Sequence, residues 1–198
     1  LARGRAEIRR RFEEPGPLRN DGPAVLAATS YLMDQIVRVL FDFADRHAYP
    51  AANPSTAERL GVVATGGYGR GELAPLSDID LLFLRPYKQT PRGEQIVEFM
   101  LYLLWDLGLK VGHATRTVEE SLRYAERDQT IRTAMLEARY VWGDRELFDE
   151  LLRGFAQKFY TGDGRDFVDA KLTERDQRHQ RMGDLRYVVE PNVKEGKG

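Results

Sequence analysis

Two aspartates at the head of an apolar run are the residues of this chain whose types and spacing best suit chemistry. Asp78 and Asp80 flank Ile79, and residues 81–84 continue as an apolar run. Because side chains two apart on a strand point to the same face, the two carboxylates would converge on one spot. Carboxylate oxygens bind hard divalent cations, which serve phosphoryl chemistry. The pair therefore predicts a metal site in a nucleotide-using enzyme.

A glycine-rich turn lies just before this pair. Gly66, Gly67, Gly69 and Gly71 leave the backbone free to take positive φ and to approach a ligand closely. Such a turn can bind an anion through its N–H groups, and Arg70 would add a fork of donors. The turn is not a P-loop, because no Gly-Lys-Ser/Thr follows, and by itself it is equally compatible with a tight hairpin. Together with the aspartates it predicts a metal–nucleotide site.

The composition excludes several classes of protein and site. Lys and Arg number 30 against 31 Asp and Glu, a formal net charge of −1, which argues against broad electrostatic binding to nucleic acid. The chain has no cysteine, so disulfides and thiolate metal sites are excluded and a reducing cytoplasm is expected. We also expect no membrane segment, because no apolar stretch reaches the length of a bilayer span and no signal-peptide pattern is present.

Hydrophobic periodicity predicts an α+β fold in which a small sheet comes first and helices dominate afterwards. The predicted strands are 60–64, 79–84 and 110–117, and the predicted helices are 24–47, 94–107, 118–126, 129–142, 144–160 and 166–187. We expect a basic segment and loop at 1–23, a core at 24–126 and a helical segment at 127–198. The first and last residues suggest a fragment of a longer protein.

The segment GGYGRGEL (66–73) followed by SDIDLL (77–82) resembles the DNA polymerase beta-like nucleotidyltransferase superfamily. Within it, GGYGRGELAPLSDIDLLFL is closely similar to the bacterial PII uridylyltransferases, which are bifunctional uridylyltransferase and uridylyl-removing enzymes. Further similar stretches are WDLGLKVGHATRT (105–117), ARYVWGDRELF (138–148) and VVEPNVKEGKG (188–198). The resemblance implies a polymerase beta-like fold, a small mixed sheet flanked by helices, followed by a helical segment that leads to an HD domain absent here.

The resemblance also implies an activity and a partner. The expected reaction transfers UMP from UTP to a tyrosine of the PII nitrogen-regulatory protein and releases pyrophosphate. Removal of UMP belongs to the family's HD domain and glutamine sensing to its ACT domains, and neither is visible in this chain. We therefore expect transfer without hydrolysis, and glutamine as an effector only through absent domains.

Roles for individual residues follow from the same chemistry and resemblance. Asp78 and Asp80 would hold two Mg²⁺ (or Mn²⁺) ions, one at the attacking oxygen and one at the triphosphate. The expected nucleotide-binding residues are Gly66, Gly67, Arg70 and Ser77. Ser77 would either bind a phosphate or cap the turn.

Because of one departure from the superfamily pattern, the sequence does not identify which group acts as the base. Many members carry a third carboxylate on the next core strand, and residues 110–117 contain none. His113 is the polar side chain at that place, either in the site or as a structural histidine. Asp128 is either a supplier of the base or the N-cap of the next helix. The role of Glu72 is open between the site and a surface salt bridge. For Arg116, Arg139 and Asp144, structural ion pairs are the default expectation.

Two other functions fit the motif. One is a different nucleotidyltransferase of the superfamily, such as a glutamine synthetase adenylyltransferase or a small-molecule-modifying enzyme, since no residue in the sequence selects uracil over adenine. The other is a nucleotide-binding regulatory module without turnover. The missing third carboxylate favours the module, and the intact aspartate pair favours the enzymes.

Overall fold

The computed structural model describes residues 1–16, 19–53, 55–160 and 164–181, which form an α+β fold. The strands of the described part are β1 (Gly61–Thr65), β2 (Ile79–Arg85), β3 (Val111–Thr117) and β4 (Arg139–Gly143). The α-helices of the described part are α1 (Ala2–Glu13), α2 (Gly22–Phe43), α3 (Gly66–Gly69), α4 (Pro91–Asp106), α5 (Val118–Arg127), α6 (Gln129–Leu136), α7 (Arg145–Phe159) and α8 (Arg165–Arg181). Alpha-carbon contacts divide the chain into two units, Leu1–Phe155 and Ala156–Gly198.

The four strands form one mixed sheet in the order β3-β2-β1-β4. β1 runs antiparallel to both β2 and β4, whereas β2 and β3 run parallel. In this register Asp80 lies opposite Thr65 on one side and opposite Gly112 on the other. The start of β2 is therefore surrounded by the end of β1 and the start of β3, and the predicted mixed sheet is confirmed.

One face of the sheet carries the main hydrophobic core. Alternating residues of the two central strands, such as Val62 and Phe83, pack with Met33 and Val37 of α2 and Met100 of α4, and all are essentially buried. Burying a side chain of this size contributes roughly 1.5–3 kcal/mol, so this cluster is what holds α2 and α4 on the sheet.

Both core helices begin at sequence signals for a helix start. Asp21 caps α2 by accepting from the Ala24 N–H at 3.0 Å, and Thr90 caps α4 by accepting from the Gly93 N–H at 3.1 Å. Proline follows each cap in the first turn, where its missing N–H costs nothing. The helices predicted at 24–47 and 94–107 are thereby confirmed, the first with its last turn, Ala44–Ala48, wound as a π-helix.

The helix predicted at 129–142 was wrong in its second half. α6 ends at Leu136, and Arg139–Gly143 forms β4, which pairs with the free side of β1. Tyr, Val and Trp in succession favour a strand, and an unpaired edge of β1 supplies the partner that makes it form. The sheet thus includes residues beyond 126, where the core was expected to end.

Helix Gly22–Ala48 changes a second expectation. By length and composition it is apolar enough to cross a membrane, so the statement that no stretch reaches that length was wrong. The core helix of a soluble protein passes the same test, and here Met33, Val37 and Phe41 are buried in the core cluster. Length and composition alone therefore do not make this helix a membrane span.

The second unit contains α8, which was predicted as a helix over 166–187. The helix is described as far as Arg181, and positions 182–187 lie outside the described residues. Its ion pairs, Lys171 with Glu174 at 2.5 Å and Arg175 with Asp176 at 2.8 Å, join residues close in sequence. Such a pattern is typical of a solvated helix.

Candidate active site

The first strand residues of β2 present the aspartate pair to solvent. Ile79 is 1% exposed and anchors the strand in the core, so its neighbours at either side point away from that core. Asp80, the second residue of β2, is exposed, and so is Asp78 in the turn just before the strand. The buried Ile79 thus separates two exposed carboxylates, one in the turn and one on the strand.

Glycines lie on both sides of the Asp80 carboxylate. A Cβ on Gly66 would come within 3.2 Å of Oδ2, and a Cβ on Gly112 would strike Oδ1 outright. A Cβ on Gly112 would therefore force the Asp80 carboxylate to move, and a Cβ on Gly66 would require it to shift by a few tenths of an ångström. The two glycines keep open the space in which Asp80 holds its orientation. Gly112 was not recognised in the sequence, because its importance depends on the parallel register of β3.

The glycine turn folds as α3, a single helical turn directly after β1. Gly66 has φ +60° and Gly71 has φ +75°, which only glycine adopts without strain. The Arg70 N–H donates to the Gly66 carbonyl at 3.1 Å, and the Glu72 N–H to the Gly67 carbonyl at 2.9 Å. The first N–H groups of a helical turn have no intrahelical acceptor, so they are donors that an anion can use.

A buried polar network supports the turn from below. The Tyr68 hydroxyl donates to Asp34 at 2.8 Å, and Arg139 donates to both Asp34 oxygens at 2.8 and 3.1 Å. Arg139 also donates to the carbonyls of Tyr68 and Gly69 at 3.1 Å each. Burial and the neighbouring Asp34 carboxylate raise the pKa of Tyr68, so it stays a hydroxyl donor. Burial opposes the charge of Arg139, but its hydrogen bonds with Asp34 outweigh that and its pKa is raised.

Of the residues in this network, Arg139 was expected from the sequence and Asp34 was not. Arg139 was expected to form a structural ion pair, and it does so with Asp34. Asp34 itself was missed. The available signal was a carboxylate on the apolar face of α2, beside Met33 and Val37, where a charge needs a partner.

Arg70 lies beside the turn and is engaged by two carboxylates. Its Nε donates to Glu72 at 2.9 Å and its Nη1 to Glu137 at 2.6 Å, while the side chain stays 46% exposed. These hydrogen bonds, first with Glu72 and then with Glu137, raise the pKa of Arg70. The residue is therefore a permanent cation at the edge of the turn, and Glu72 is its ion-pair partner.

Ser77 belongs to a tight turn that leads into β2. Its N–H donates to the Ala74 carbonyl at 3.1 Å, and its side chain is exposed. Leu76 just before it has φ +66° and is 77% exposed, a conformation that is unfavourable for a branched residue. The turn that contains Ser77 and leads to Asp78 therefore includes a strained backbone conformation.

The structure does not bring His113 or Asp128 to the carboxylate pair. His113 pairs with Leu81, so it lies on the opposite sheet face from Asp80, with its ring centroid 6.2 Å from that of Trp105. Asp128 accepts from the Thr130 and Ile131 N–H groups at 2.7 and 3.2 Å and is the N-cap of α6.

No third carboxylate of β3 shares the face of Asp80. The positions of that strand on this face are Gly112, Ala114 and Arg116, by the register with β2. Arg116 is engaged over the ring of Tyr124, 4.6 Å from its centroid. Within the described ranges there is no group of three or more His, Asp or Glu side chains that could hold a metal ion.

The remaining residue with an expected structural role, Asp144, forms a junction away from the carboxylate pair. It accepts from Arg59 at 2.6 and 2.8 Å and from the Leu147 N–H at 3.0 Å, so it caps α7 and ties it to the segment before β1. The hydrogen bonds from Arg59 lower its pKa.

Two family models match the chain. Residues 53–141 match the nucleotidyltransferase domain, a stretch that contains α3, β2 and both aspartates. Residues 166–198 match the model described as GlnD PII-uridylyltransferase.

Curated relatives match the chain from end to end. Proteins named bifunctional uridylyltransferase/uridylyl-removing enzyme are 62% identical in Rhodospirillum rubrum, 57% in Azospirillum brasilense and 54% in Erythrobacter litoralis. These alignments cover 98–100% of this chain but only 20–21% of each relative, so the chain spans about a fifth of their length.

Among solved structures, a chain from a crystal structure of a toxin-antitoxin with AMP-PNP is similar over 64% of this chain and 86% of that chain. Its identity is 19% and its TM-score 0.32, which is too low to carry an argument. The relatives and the domain match carry the assignment instead. The chain is therefore similar from end to end to one part of the bifunctional uridylyltransferase/uridylyl-removing enzymes, and its residues 53–141 match the nucleotidyltransferase domain.

Proposed function

We propose that this chain transfers UMP from UTP to a tyrosine hydroxyl of the PII signal-transduction protein in the cytoplasm, releasing pyrophosphate. The observation that carries the proposal is the placement of Asp80 between Gly66 and Gly112, beside the glycine turn that also holds Arg70. The identity with uridylyltransferases over the whole chain supports uracil and PII over other nucleotides and acceptors.

The aspartate pair fits Mg²⁺ or Mn²⁺ as its metal. Both carboxylates are exposed at the start of β2, and the flanking glycines leave room around Asp80. Mg²⁺ is commonly bound by one or two carboxylates together with substrate phosphates, so two aspartates suffice as the protein's share. When bound, the metal would neutralise phosphate charge and favour deprotonation of the attacking hydroxyl.

The phosphates would lie along the glycine turn. The Gly66 and Gly67 N–H groups and the Arg70 guanidinium would donate to the β- and γ-phosphates and stabilise the leaving pyrophosphate. Ser77 is placed to add a hydroxyl donor from the turn before β2. Glu72 acts indirectly, by its ion pair with Arg70.

The chemical step exchanges the phosphoanhydride bond between the α- and β-phosphates of UTP for a phosphodiester bond to tyrosine. The tyrosine oxygen bonds to the α-phosphorus while the bond from that phosphorus to the oxygen bridging the β-phosphate breaks. The tyrosine proton passes to water, because β3 offers Gly112 and Ala114 rather than a carboxylate on the face of Asp80. Asp78 and Asp80 would keep the reacting groups close to one another throughout the step. Proximity of this kind accounts for a large part of the rate acceleration in enzymatic phosphoryl transfer.

The test incubates cognate PII and Mg²⁺ with labelled UTP or ATP and compares wild type with Asp80→Asn. We expect label on PII from UTP only, and a loss of at least about a hundredfold in the variant, the scale of losing a group that positions the reactants. Asp106→Asn, an exposed residue at the end of α4, is the matched control and should label PII normally. Label from ATP would contradict the uracil preference, and equal rates in wild type and Asp80→Asn would contradict the metal site.

A further inference from the structure

The junction between α6 and β4 lies directly against the glycine turn. Gly69 has no Cβ at this contact, which lets the Glu137 carbonyl oxygen approach the turn closely. Two residues further along, Arg139 donates to the Gly69 carbonyl at 3.1 Å. The backbone of residues 137–139 is therefore fixed against the turn from one side.

Glu137 uses this fixed backbone to hold the guanidinium of Arg70. The Nη1–Oε1 distance is 2.6 Å, and the Glu137 side chain is only 25% exposed. Glu72 holds Nε at 2.9 Å. Because the guanidinium is planar and rigid, carboxylates on two of its nitrogens determine where the third nitrogen points.

That third nitrogen lies over the glycine turn. A Cβ built on Gly67 would be 3.7 Å from Nη2 of Arg70. Nη2 thus lies close to Gly67, one of the residues to which the proposed function assigns the phosphates. Charged donors of this kind make the strong hydrogen bonds to phosphate, provided that they are aimed correctly.

We propose that Glu137 is a positioning residue for the nucleotide: it orients Arg70 so that Nη2 donates to a phosphate of the bound nucleoside triphosphate. This rests on the proposed function, which places the phosphates at the turn. A carboxylate could instead compete with phosphate for Arg70. The close approach of the Glu137 backbone to Gly69 favours the positioning role, because it keeps Glu137 beside the turn.

A double-mutant cycle tests the proposal. UTP dissociation constants, kcat and KM are measured with Mg²⁺ for wild type, Glu137→Ala, Arg70→Ala and the double variant. Glu137→Ala should raise the dissociation constant and KM for UTP about tenfold with kcat little changed, and it should add almost nothing when Arg70 is already alanine. Glu137→Gln, which still accepts a hydrogen bond, should restore part of the loss.

Two further measurements separate positioning from a fold defect. Inorganic tripolyphosphate with Mg²⁺ should lose affinity by the same factor as UTP, because it carries the phosphates without the base. Thermal unfolding is followed for each variant, and Glu98→Gln, exposed on α4, serves as the control that leaves UTP affinity unchanged.

The outcomes are distinguishable. An equal effect of Glu137→Ala with and without Arg70 would overturn the proposal, since Glu137 would then act by another route. Tighter UTP binding by Glu137→Ala would also overturn it and indicate competition. A wild-type protein that binds no UTP would overturn the proposed function, and this inference with it.

Discussion

At the scale of single residues, the candidate site depends on glycines, which have no side chain. Gly66 and Gly112 border the two oxygens of Asp80, and Gly69 admits the Glu137 carbonyl to the turn. Each of these contacts is backbone or carboxylate against a bare Cα. A methyl group at any of these positions would therefore displace a neighbouring atom, whereas many surface loops would accept one easily.

Gly112→Ala should lower uridylyl transfer by about a hundredfold, the scale associated with a misplacement of about 1 Å. The added Cβ would strike Oδ1 of Asp80 and turn the carboxylate away from its partner Asp78. Steady-state rates of PII labelling and Mg²⁺-dependent UTP binding measure the effect, and both should fall.

Gly22→Ala is the control for this substitution, because a Cβ at Gly22 meets nothing within 4 Å. It should leave transfer and UTP binding unchanged. Normal UTP binding and transfer by Gly112→Ala would show that the Asp80 carboxylate relaxes around a side chain and that Gly112 is dispensable.

The same scale shows what the sequence could and could not reveal about the site. The spacing of Asp78 and Asp80 at the head of an apolar run was enough to predict that both are exposed where β2 begins, because that pattern is local. The importance of Gly112, Glu137 and Asp34 was not predictable, since each acts on a residue that is distant in the chain. For the same reason the sequence left His113 open between the site and a structural role: one position along β3 decides which face a side chain takes.

At the scale of elements, the junction between α6 and β4 supports the glycine turn that the sequence identified. Local propensity and spacing were sufficient for β1, β2, β3 and α4, whose apolar patterns are strong and whose breaks are Gly and Pro. They were insufficient for β4, because five residues of strand gain stability only from pairing with β1. The element that fixes the glycine turn was thus the one that the sequence placed in a helix.

Asp34→Asn should destabilise the protein by about 2–3 kcal/mol. It leaves Arg139 without its counter-ion below the turn; the cost is smaller than for a fully buried pair because the Arg139 side chain is 32% exposed. Urea unfolding followed by fluorescence of Trp105 and Trp142 measures the loss.

The exposed pair Arg145–Asp149 offers the matched control. Both side chains are well exposed, so Asp149→Asn should change the free energy of unfolding by less than about 0.5 kcal/mol. Equal effects of the two substitutions would mean that the network under the turn contributes no more than a surface pair.

At the scale of the whole molecule, the junction of Arg59 and Asp144 makes stability depend on pH. The hydrogen bonds from Arg59 lower the pKa of Asp144, so the folded state binds a proton less readily than the unfolded chain. The stabilising contribution is full above the unfolded pKa of about 3.9 and is lost as the pH falls below it towards the lowered folded value.

Asp144→Asn should therefore reduce the free energy of unfolding by about 1–2 kcal/mol at pH 7, from the lost ion pair and the weakened cap of α7. Below about pH 4 the difference from wild type should shrink, because wild type loses the same charge there. Urea titrations at pH 7, 5 and 3.5 measure this. A difference that stays constant down to pH 3.5 would argue that the carboxylate charge is not the cause.

The late position of β4 in the chain has a consequence for biosynthesis. The Asp34–Arg139 pair joins residues 105 apart, and β4 closes the edge of β1 only after residue 139 has been made. A nascent chain that has left the ribosome as far as β3 already holds both aspartates, yet one edge of its sheet is still open to other chains. The network under the glycine turn is therefore completed only after both aspartates have been made, and a polypeptide cut at residue 126 would retain the aspartates while tending to aggregate.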